Sequence, residues 1–230
     1  CCSGNVHRIM PNYVSRMWMK QGRDTVVAAL YGPSEIKLKA TNGAECKIEE
    51  KTLYPFDGRI DFHFEMSRKA RIPFSFRIPE WSASVSVALN GKPLKVDCKP
   101  GTFVTIDRKF HDGDRLSVSL GMEPECVQFK DQGVYFTLGP LVFSYAVPQK
   151  KTVDKAVYAN MNGKVPEEPG FECWSITADG DWNYAWVGNN ANEINVLRRQ
   201  DTDGYPFDYG NSPVTLEIPA EKIEWCLEEN

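Results

Sequence analysis

Little in this 230-residue chain points to chemistry of its own. Its three histidines, His7, His63 and His111, lie far apart in sequence. No Ser/His/Asp arrangement, phosphate loop or dinucleotide fingerprint accompanies them. Apolar runs are short: the nearest to a membrane span, Val26-Val27-Ala28-Ala29-Leu30-Tyr31, falls far below the roughly 18 residues a spanning helix needs and reads as one buried strand. An excess of positive charge is missing as well. The net charge of −4 leaves no electrostatic case for nucleic acid. No secretory signal is recognisable, and there is no internal repeat or low-complexity tract. Cysteines number seven, an odd count without a repeated spacing, so a disulfide framework is not expected. Cys46, Cys98, Cys126, Cys173 and Cys226 read as free thiols, mostly buried.

What is present is ordinary globular material, 42% hydrophobic and 25% charged. His7, Met10, Val14, Met17 and Trp18 fall at helical spacing, with Pro11 tolerable in a first turn. They predict one helix over Pro11 to Lys20, ended by Gly22. From Val26 onward the period becomes two. Ile60, Phe62, Phe64 and Met66 alternate with Asp61, His63 and Glu65, and Ile72, Phe74, Phe76 and Ile78 alternate with Pro73, Ser75 and Arg77. Such alternation sets one strand face on a core and the other towards water. His63 is then a solvated side chain, and the run Glu45 to Lys51 a solvated strand face.

Asn90-Gly91 between Ser84–Leu89 and Lys92–Val96 is a hairpin signal of type I′. Phe103 to Asp107 and Leu116 to Leu120 are two more strands, joined by a turn at His111-Asp112-Gly113-Asp114. Gly121 to Glu125 interrupts the pattern and suggests a domain boundary. Strands resume at Val127–Phe129, Val134–Leu138 and Leu141–Val147, and Pro148 with Gln149-Lys150-Lys151 closes that group. Asn160–Gly170 and Asp201–Pro213 are turn-dense loops around an aromatic stretch, Trp174 to Trp186. Val214–Ile218 and Ile223–Leu227 are closing strands. The expected fold class is all-β, two β-sandwich (jelly-roll-like) domains over residues 26–122 and 123–230, preceded by a short N-terminal helix.

Chemistry is suggested at one place. Cys1 and Cys2 are adjacent, cannot easily bridge each other, and could together bind a soft metal such as zinc, or could be two residues at a frayed terminus. Trp182, Tyr184 and Trp186, at spacings of two, share one strand face, which suits either a core or a sugar-stacking platform. Trp174 belongs to the same aromatic group.

Cys1-Cys2-Ser3-Gly4-Asn5-Val6-His7-Arg8 resembles the CC-x-x-N-x-x-R stretch of glycoside hydrolase family 127, also called DUF1680, the β-L-arabinofuranosidases and their relatives. Further short motifs follow in the family's order: Leu30-Tyr31-Gly32-Pro33-Ser34, Thr52-Leu53-Tyr54-Pro55-Phe56-Asp57-Gly58, Arg77-Ile78-Pro79-Glu80-Trp81, Gly113-Asp114, Gly139-Pro140-Leu141-Val142-Phe143, Trp182-Asn183-Tyr184-Ala185 and Tyr205-Pro206-Phe207. Each is weak alone; their shared order spans the chain.

The resemblance implies that residues 1–25 are the last helix of an (α/α)6 catalytic barrel, the rest of which is not in this sequence, and that the β domains accompany it. It implies Cys1 as the parent enzyme's nucleophile and Cys1 with Cys2 as zinc ligands. Zinc keeps a thiol deprotonated, and a thiolate can attack an anomeric carbon with net retention of configuration. The other ligands, a glutamate and a cysteine, and the acid/base carboxylate lie upstream in the family. This chain alone is therefore expected neither to hold zinc tightly nor to hydrolyse glycosides. The implied partners are the parent's own barrel and, as the parent's substrate, plant-type arabinose-containing glycans. Arg77, Pro79 and Trp81 suit a lock of a strand end against a neighbouring domain better than a sugar site, and Tyr54, Pro55 and Phe56 are expected to pack on the barrel or the other sandwich. A zinc thiolate and free cysteines fit a reducing cytoplasm, with the periplasm as the other compartment considered. Two readings stand beside the accessory one: a carbohydrate-binding module acting through Trp182 and Trp186, and a purely structural scaffold.

Overall fold

Strand alternation dominates the chain, and the computed structural model, which describes residues 7–82, 84–130, 133–154, 174–199, 204–208 and 210–224, is mostly strand. It divides into two compact units, residues 1–127 with 136–142, and residues 128–135 with 143–230.

The first unit opens with helix α1 (Ile9–Met17), which carries Pro11 in its first turn, where the missing N–H costs nothing. The helix is shorter than its spacing predicts. Trp18–Gln21 forms strand β1 and pairs antiparallel with β2 (Thr25–Ala28), from Trp18 opposite Ala28 to Gln21 opposite Thr25. Gly22, at φ +61°, is the turn of this hairpin rather than a helix stop. Burial decides the matter: the Trp18 ring packs against Phe62 and Phe74, with centroids 6.0 and 6.3 Å away, which a continuing helix would not achieve.

Eight further strands complete this unit: β3 (Ser34–Lys39), β4 (Glu45–Thr52), β5 (Arg59–Met66), β6 (Ala70–Arg77), β7 (Val85–Leu89), β8 (Lys92–Pro93), β9 (Phe103–Phe110) and β10 (Arg115–Leu120). They form a four-stranded sheet ordered β1-β2-β6-β9 and a six-stranded sheet ordered β3-β4-β5-β10-β7-β8. All pairings are antiparallel except β2 with β6, which is parallel. The core between the sheets is aromatic. Phe64 stacks on Phe110 at 4.1 Å, Phe62 meets Phe74 edge-on at 4.9 Å, and all four are fully buried.

The Asn90-Gly91 turn has positive φ at both residues, +50° and +74°, as a type I′ hairpin requires. Its second strand is only Lys92–Pro93, after which the Leu94 N–H still donates to the Val87 carbonyl at 2.8 Å. Asp114, nearly buried, ties this hairpin to the next turn. It accepts from Asn90 Nδ2 and from the His111 backbone N–H, both at 2.8 Å, while Asn90 Oδ1 accepts from the Arg115 N–H.

Beyond the first ten strands, β11 (Pro124–Gln128), β12 (Val134–Leu138) and β13 (Leu141–Phe143) form a three-stranded sheet. The interruption predicted over Gly121–Glu125 is shorter, since β11 begins at Pro124. Gln149-Lys150-Lys151 does not close the group either but opens β14 (Gln149–Val153), whose lysines face solvent. β14 pairs with β15 (Trp174–Ala178), β16 (Tyr184–Trp186) with β19 (Ala220–Lys222), and β17 (Asn195–Arg198) with β18 (Val214–Glu217), each antiparallel. Within these ladders Val214 is buried, as is Ile194 just ahead of β17. The loop predicted over 160–170, Cys173 and Cys226 lie outside the described residues. No helix among the described residues is long and apolar enough to cross a membrane.

Candidate functional site

The run Glu45 to Lys51, expected as a solvated strand face, has a buried side as well. Cys46, Ile48 and Glu50 alternate onto its inner face and are buried. The sequence carried the signal, because Cys46 and Ile48 set a period of two that places Glu50 inward. Its register puts Glu50 opposite Ser34 on β3 and Phe62 on β5. The residue is 1% exposed.

A buried carboxyl needs partners. Glu50 Oε1 accepts from the Gly32 backbone N–H at 2.9 Å, and its Oε2 lies 3.5 Å from Ser34 Oγ. That hydroxyl donates to the Gly32 carbonyl at 2.9 Å and accepts from the Trp18 indole N–H at 3.0 Å. Among the described residues no Lys or Arg pairs with Glu50. Desolvation therefore outweighs the Gly32 hydrogen bond and the longer Ser34 contact, and the carboxyl is pushed up to about 7.

Around it three tyrosines converge. Tyr13 of α1 donates its hydroxyl to the Tyr31 carbonyl at 2.7 Å. Tyr31, 3% exposed, donates its own hydroxyl to the Arg77 carbonyl. Tyr54 meets Tyr31 edge-on at 5.5 Å, and the Trp81 indole N–H donates to the Tyr54 hydroxyl. Burial pushes all three phenols up, and the Glu50 charge adds to this at Tyr13 and Tyr31. The three motifs Leu30–Ser34, Thr52–Gly58 and Arg77–Trp81 are thus one structure: a polar cluster inside the sandwich end that holds α1. Met17 seals it. Its carbonyl accepts from the Ala29 N–H at 2.8 Å, and its Cε would lie 3.0 Å from any Cβ added at Gly32. Tyr54 packs on its own sandwich, and the Arg77 carbonyl and the Trp81 indole take their partners, Tyr31 and Tyr54, within that same sandwich rather than on a neighbouring domain.

Other candidates fare differently. His63 lies on the outward face of β5, where its Nε2 accepts from Arg115 Nε at 3.0 Å, and desolvation followed by that guanidinium lowers its pKa. Cys46, Cys98 and Cys126 are free thiols, and burial pushes the Cys46 thiol up to about 11. Trp182 is 53% exposed but precedes β16, and its carbonyl accepts from the Tyr184 N–H at 3.1 Å, so the face shared at spacings of two extends only over Tyr184 and Trp186. The Trp186 indole lies against Gly188, its Nε1 2.4 Å from where a Cβ would stand. Tyr145 covers Tyr184 edge-on at 5.4 Å. A cleft of about 340 Å³ opens between β1, β2, β3 and β6, lined by Trp18, Ile36 and Leu38 with Lys20, Arg23, Lys37 and Lys39; Asp24 is its one carboxylate, where glycoside hydrolysis uses two. Among the described residues no three His, Cys, Asp or Glu side chains gather as a metal site. Cys1 and Cys2 lie outside the described residues. Two thiols are the right kind of donor for zinc and half the number a closed tetrahedral site takes.

The fold and its buried cluster define a β-sandwich with a helix pinned to one end. Residues 25–122 match the family model described as β-L-arabinofuranosidase, GH127 middle domain. The resemblance read from the motifs holds. Among solved structures, the GH127 β-L-arabinofuranosidase of Geobacillus stearothermophilus T6 is similar over 77% of this chain and 33% of its own, with TM-score 0.55 and 18% identity. A second GH127 β-arabinofuranosidase is similar over 67% of this chain and 30% of its own, with TM-score 0.52 and 24% identity. At these identities the likeness is one of fold. The chain spans about a third of the length of these two structures. No curated protein matches it.

Proposed function

We propose that this chain is the β portion of a retaining glycoside hydrolase resembling β-L-arabinofuranosidase, non-catalytic by itself. It supports a catalytic helical barrel, contributed by preceding polypeptide, that acts on arabinose-containing glycans. One observation carries the reading: residues 25–122 match a domain described as the middle of such enzymes, in a chain about a third as long as the similar solved structures.

In this reading Cys1 is the nucleophile, and Cys1 and Cys2 supply two of the four ligands of a zinc ion. Zinc, when bound, keeps the thiols ionised at neutral pH. Cys1 attacks the anomeric carbon, the glycosidic C–O bond breaks, and the leaving oxygen takes its proton from a carboxylic acid elsewhere in the enzyme. Water then displaces the sulfur, so two inversions give retention.

The purified 230-residue chain is expected to leave a nitrophenyl arabinofuranoside intact, while the longer enzyme cleaves it and loses that activity on Cys1→Ser. Hydrolysis by the 230-residue chain, or full activity of the longer enzyme after Cys1→Ser, overturns the reading. The half-exposed Trp174 and Trp182 favour a second role in binding glycan chains. Affinity electrophoresis in plant polysaccharides tests it: unretarded migration in every one removes that role.

A further inference from the structure

The polar cluster at the helix end of the sandwich holds one acid, and its surroundings suit the protonated form. Glu50 lies between Ser34 on β3 and Phe62 on β5 and is 1% exposed. The titratable groups that face it are phenols. Tyr13 from α1 and Tyr31 from the chain ahead of β3 both feel its charge, and Tyr54 meets Tyr31 edge-on. The Arg77 guanidinium, at the end of β6, acts on those three phenols and not on Glu50. Trp18 of β1 and Phe62 of β5 bring no charge.

Hydrogen-bond polarity agrees. Ser34 has one hydroxyl proton, which the Gly32 carbonyl accepts at 2.9 Å, and the Trp18 indole donates to the same oxygen at 3.0 Å. Towards Glu50 Oε2, 3.5 Å away, that oxygen can then only accept. The acid form supplies the proton this contact lacks. The carboxylate has to draw the Ser34 proton away from Gly32, and among the described residues no Lys or Arg pairs with it.

A charge that the fold does not solvate is relieved by the opening that costs least. β4 and β5 each have a partner strand on both sides. α1 has no such support: it is nine residues long, takes no side-chain cap from Arg8, and leaves Ile9, Met10 and Val14 more than 60% exposed. Its bonds to the sandwich fall on residues 29–32, the stretch that Glu50 holds. The Met17 carbonyl accepts from the Ala29 N–H, and the Tyr13 hydroxyl donates to the Tyr31 carbonyl at 2.7 Å. The Met17 side chain lies over Gly32, whose own N–H goes to Glu50 Oε1.

We propose that Glu50 is a proton-operated latch on α1: while its carboxyl is protonated, residues 29–32 are held and the helix stays docked, and when it ionises, the helix end of the sandwich opens and admits water to the charge. The latch is a property of this chain's own fold and does not depend on the glycosidase reading. The acid's ordinary value of 4.5 is raised to about 7 in the fold, so the latch is fully closed below about pH 4.5 and is released as pH rises through 7.

Glu50→Gln mimics the acid form, its side-chain carbonyl accepting from Gly32 and its NH2 group donating to Ser34. Dividing wild-type amide exchange by that of Glu50→Gln at the same pH cancels the intrinsic effect of pH on exchange. In the 230-residue chain this ratio should rise roughly tenfold between pH 5 and pH 8.5 over residues 9–17, while those amides exchange faster than the amides of β5. A flat ratio overturns the latch, and so does a rise that α1 and β5 show at one common rate. In the wild type alone, the Gly32 amide and Trp18 indole N–H resonances should titrate together with a midpoint near pH 7. Resonances that stay in place from pH 5 to pH 9 overturn it as well, whether or not the Gln variant folds.

Discussion

Glu50 is the residue with the most to say about pH. Its carboxyl ionises near 4.5 in an open chain and near 7 in the fold, since burial between β3 and β5 outweighs the Gly32 and Ser34 contacts. The fold therefore binds the proton more tightly than the unfolded chain does. The associated stability is complete below about pH 4.5 and is lost as pH rises through 7, up to about 3 kcal/mol in total. The charged and titratable groups facing it do not reverse the sign: Tyr13 and Tyr31 are neutral in this range, and Arg77 acts chiefly on the phenols. Urea unfolding at pH 5.5 and 8 should show the decline in the wild type and a flatter profile in Glu50→Gln; equal slopes would contradict the buried-acid account. Asp114 matters for the turns it joins, accepting from Asn90 Nδ2 and from the His111 N–H. Asp114→Ala strands the Asn90 amide and the His111 N–H at two turns and should cost about 2–3 kcal/mol at neutral pH, read as a fall in the urea midpoint. Ala at 114 with wild-type stability would mean that water replaces both bonds.

At the scale of elements, legibility followed local pattern. β5, β6, β9 and β10 could be read because Phe, Ile and Val recur at every second position, and the Asn90-Gly91 turn because few other pairs accept two positive φ values. β1 could not, since Met17 and Trp18 extend a helical spacing and only the pairing with β2 ends it. β14 was hidden by Lys150 and Lys151, which suit an exposed ladder as well as a loop. The candidate site was half legible. Tyr31, Tyr54, Arg77 and Trp81 all stood in recognised motifs, yet their convergence is long-range, and no local period brings β3, β5 and β6 to one place. Glu50 belonged to no motif and was passed over because charge usually means solvent. Gly32 shows what the convergence demands. A Cβ there meets the Met17 methyl at 3.0 Å, so a branched side chain must push the Met17 side chain aside beneath the helix. Gly32→Val should loosen α1 from the sandwich while β5 and β9 stay paired, giving faster amide exchange confined to residues 9–17. Exchange that quickens throughout both sheets would instead make α1 part of the sandwich's single cooperative unit.

For the whole molecule the telling quantity is the apolar surface left open on α1. Met10 and Val14 lie on one helix face, with Ile9 beside them, and are 64%, 61% and 62% exposed. Three large apolar side chains side by side on a nine-residue helix are more than the scattered exposure ordinary surfaces show. In the proposed enzyme this face meets the helical barrel. The energetics then differ between the two contexts. In the 230-residue chain, Met10→Gln with Val14→Gln exchanges exposed side chains for one that tolerates a helix well, and stability should move by less than about 0.5 kcal/mol. In the longer enzyme the same pair would forfeit about 1.5–3 kcal/mol for each side chain that the barrel buries. Paired thermal unfolding of the two proteins reads the difference directly. An equal, small effect in both would show that α1 keeps its apolar face to solvent in the enzyme too, and the barrel would then have to meet the sandwich through other elements.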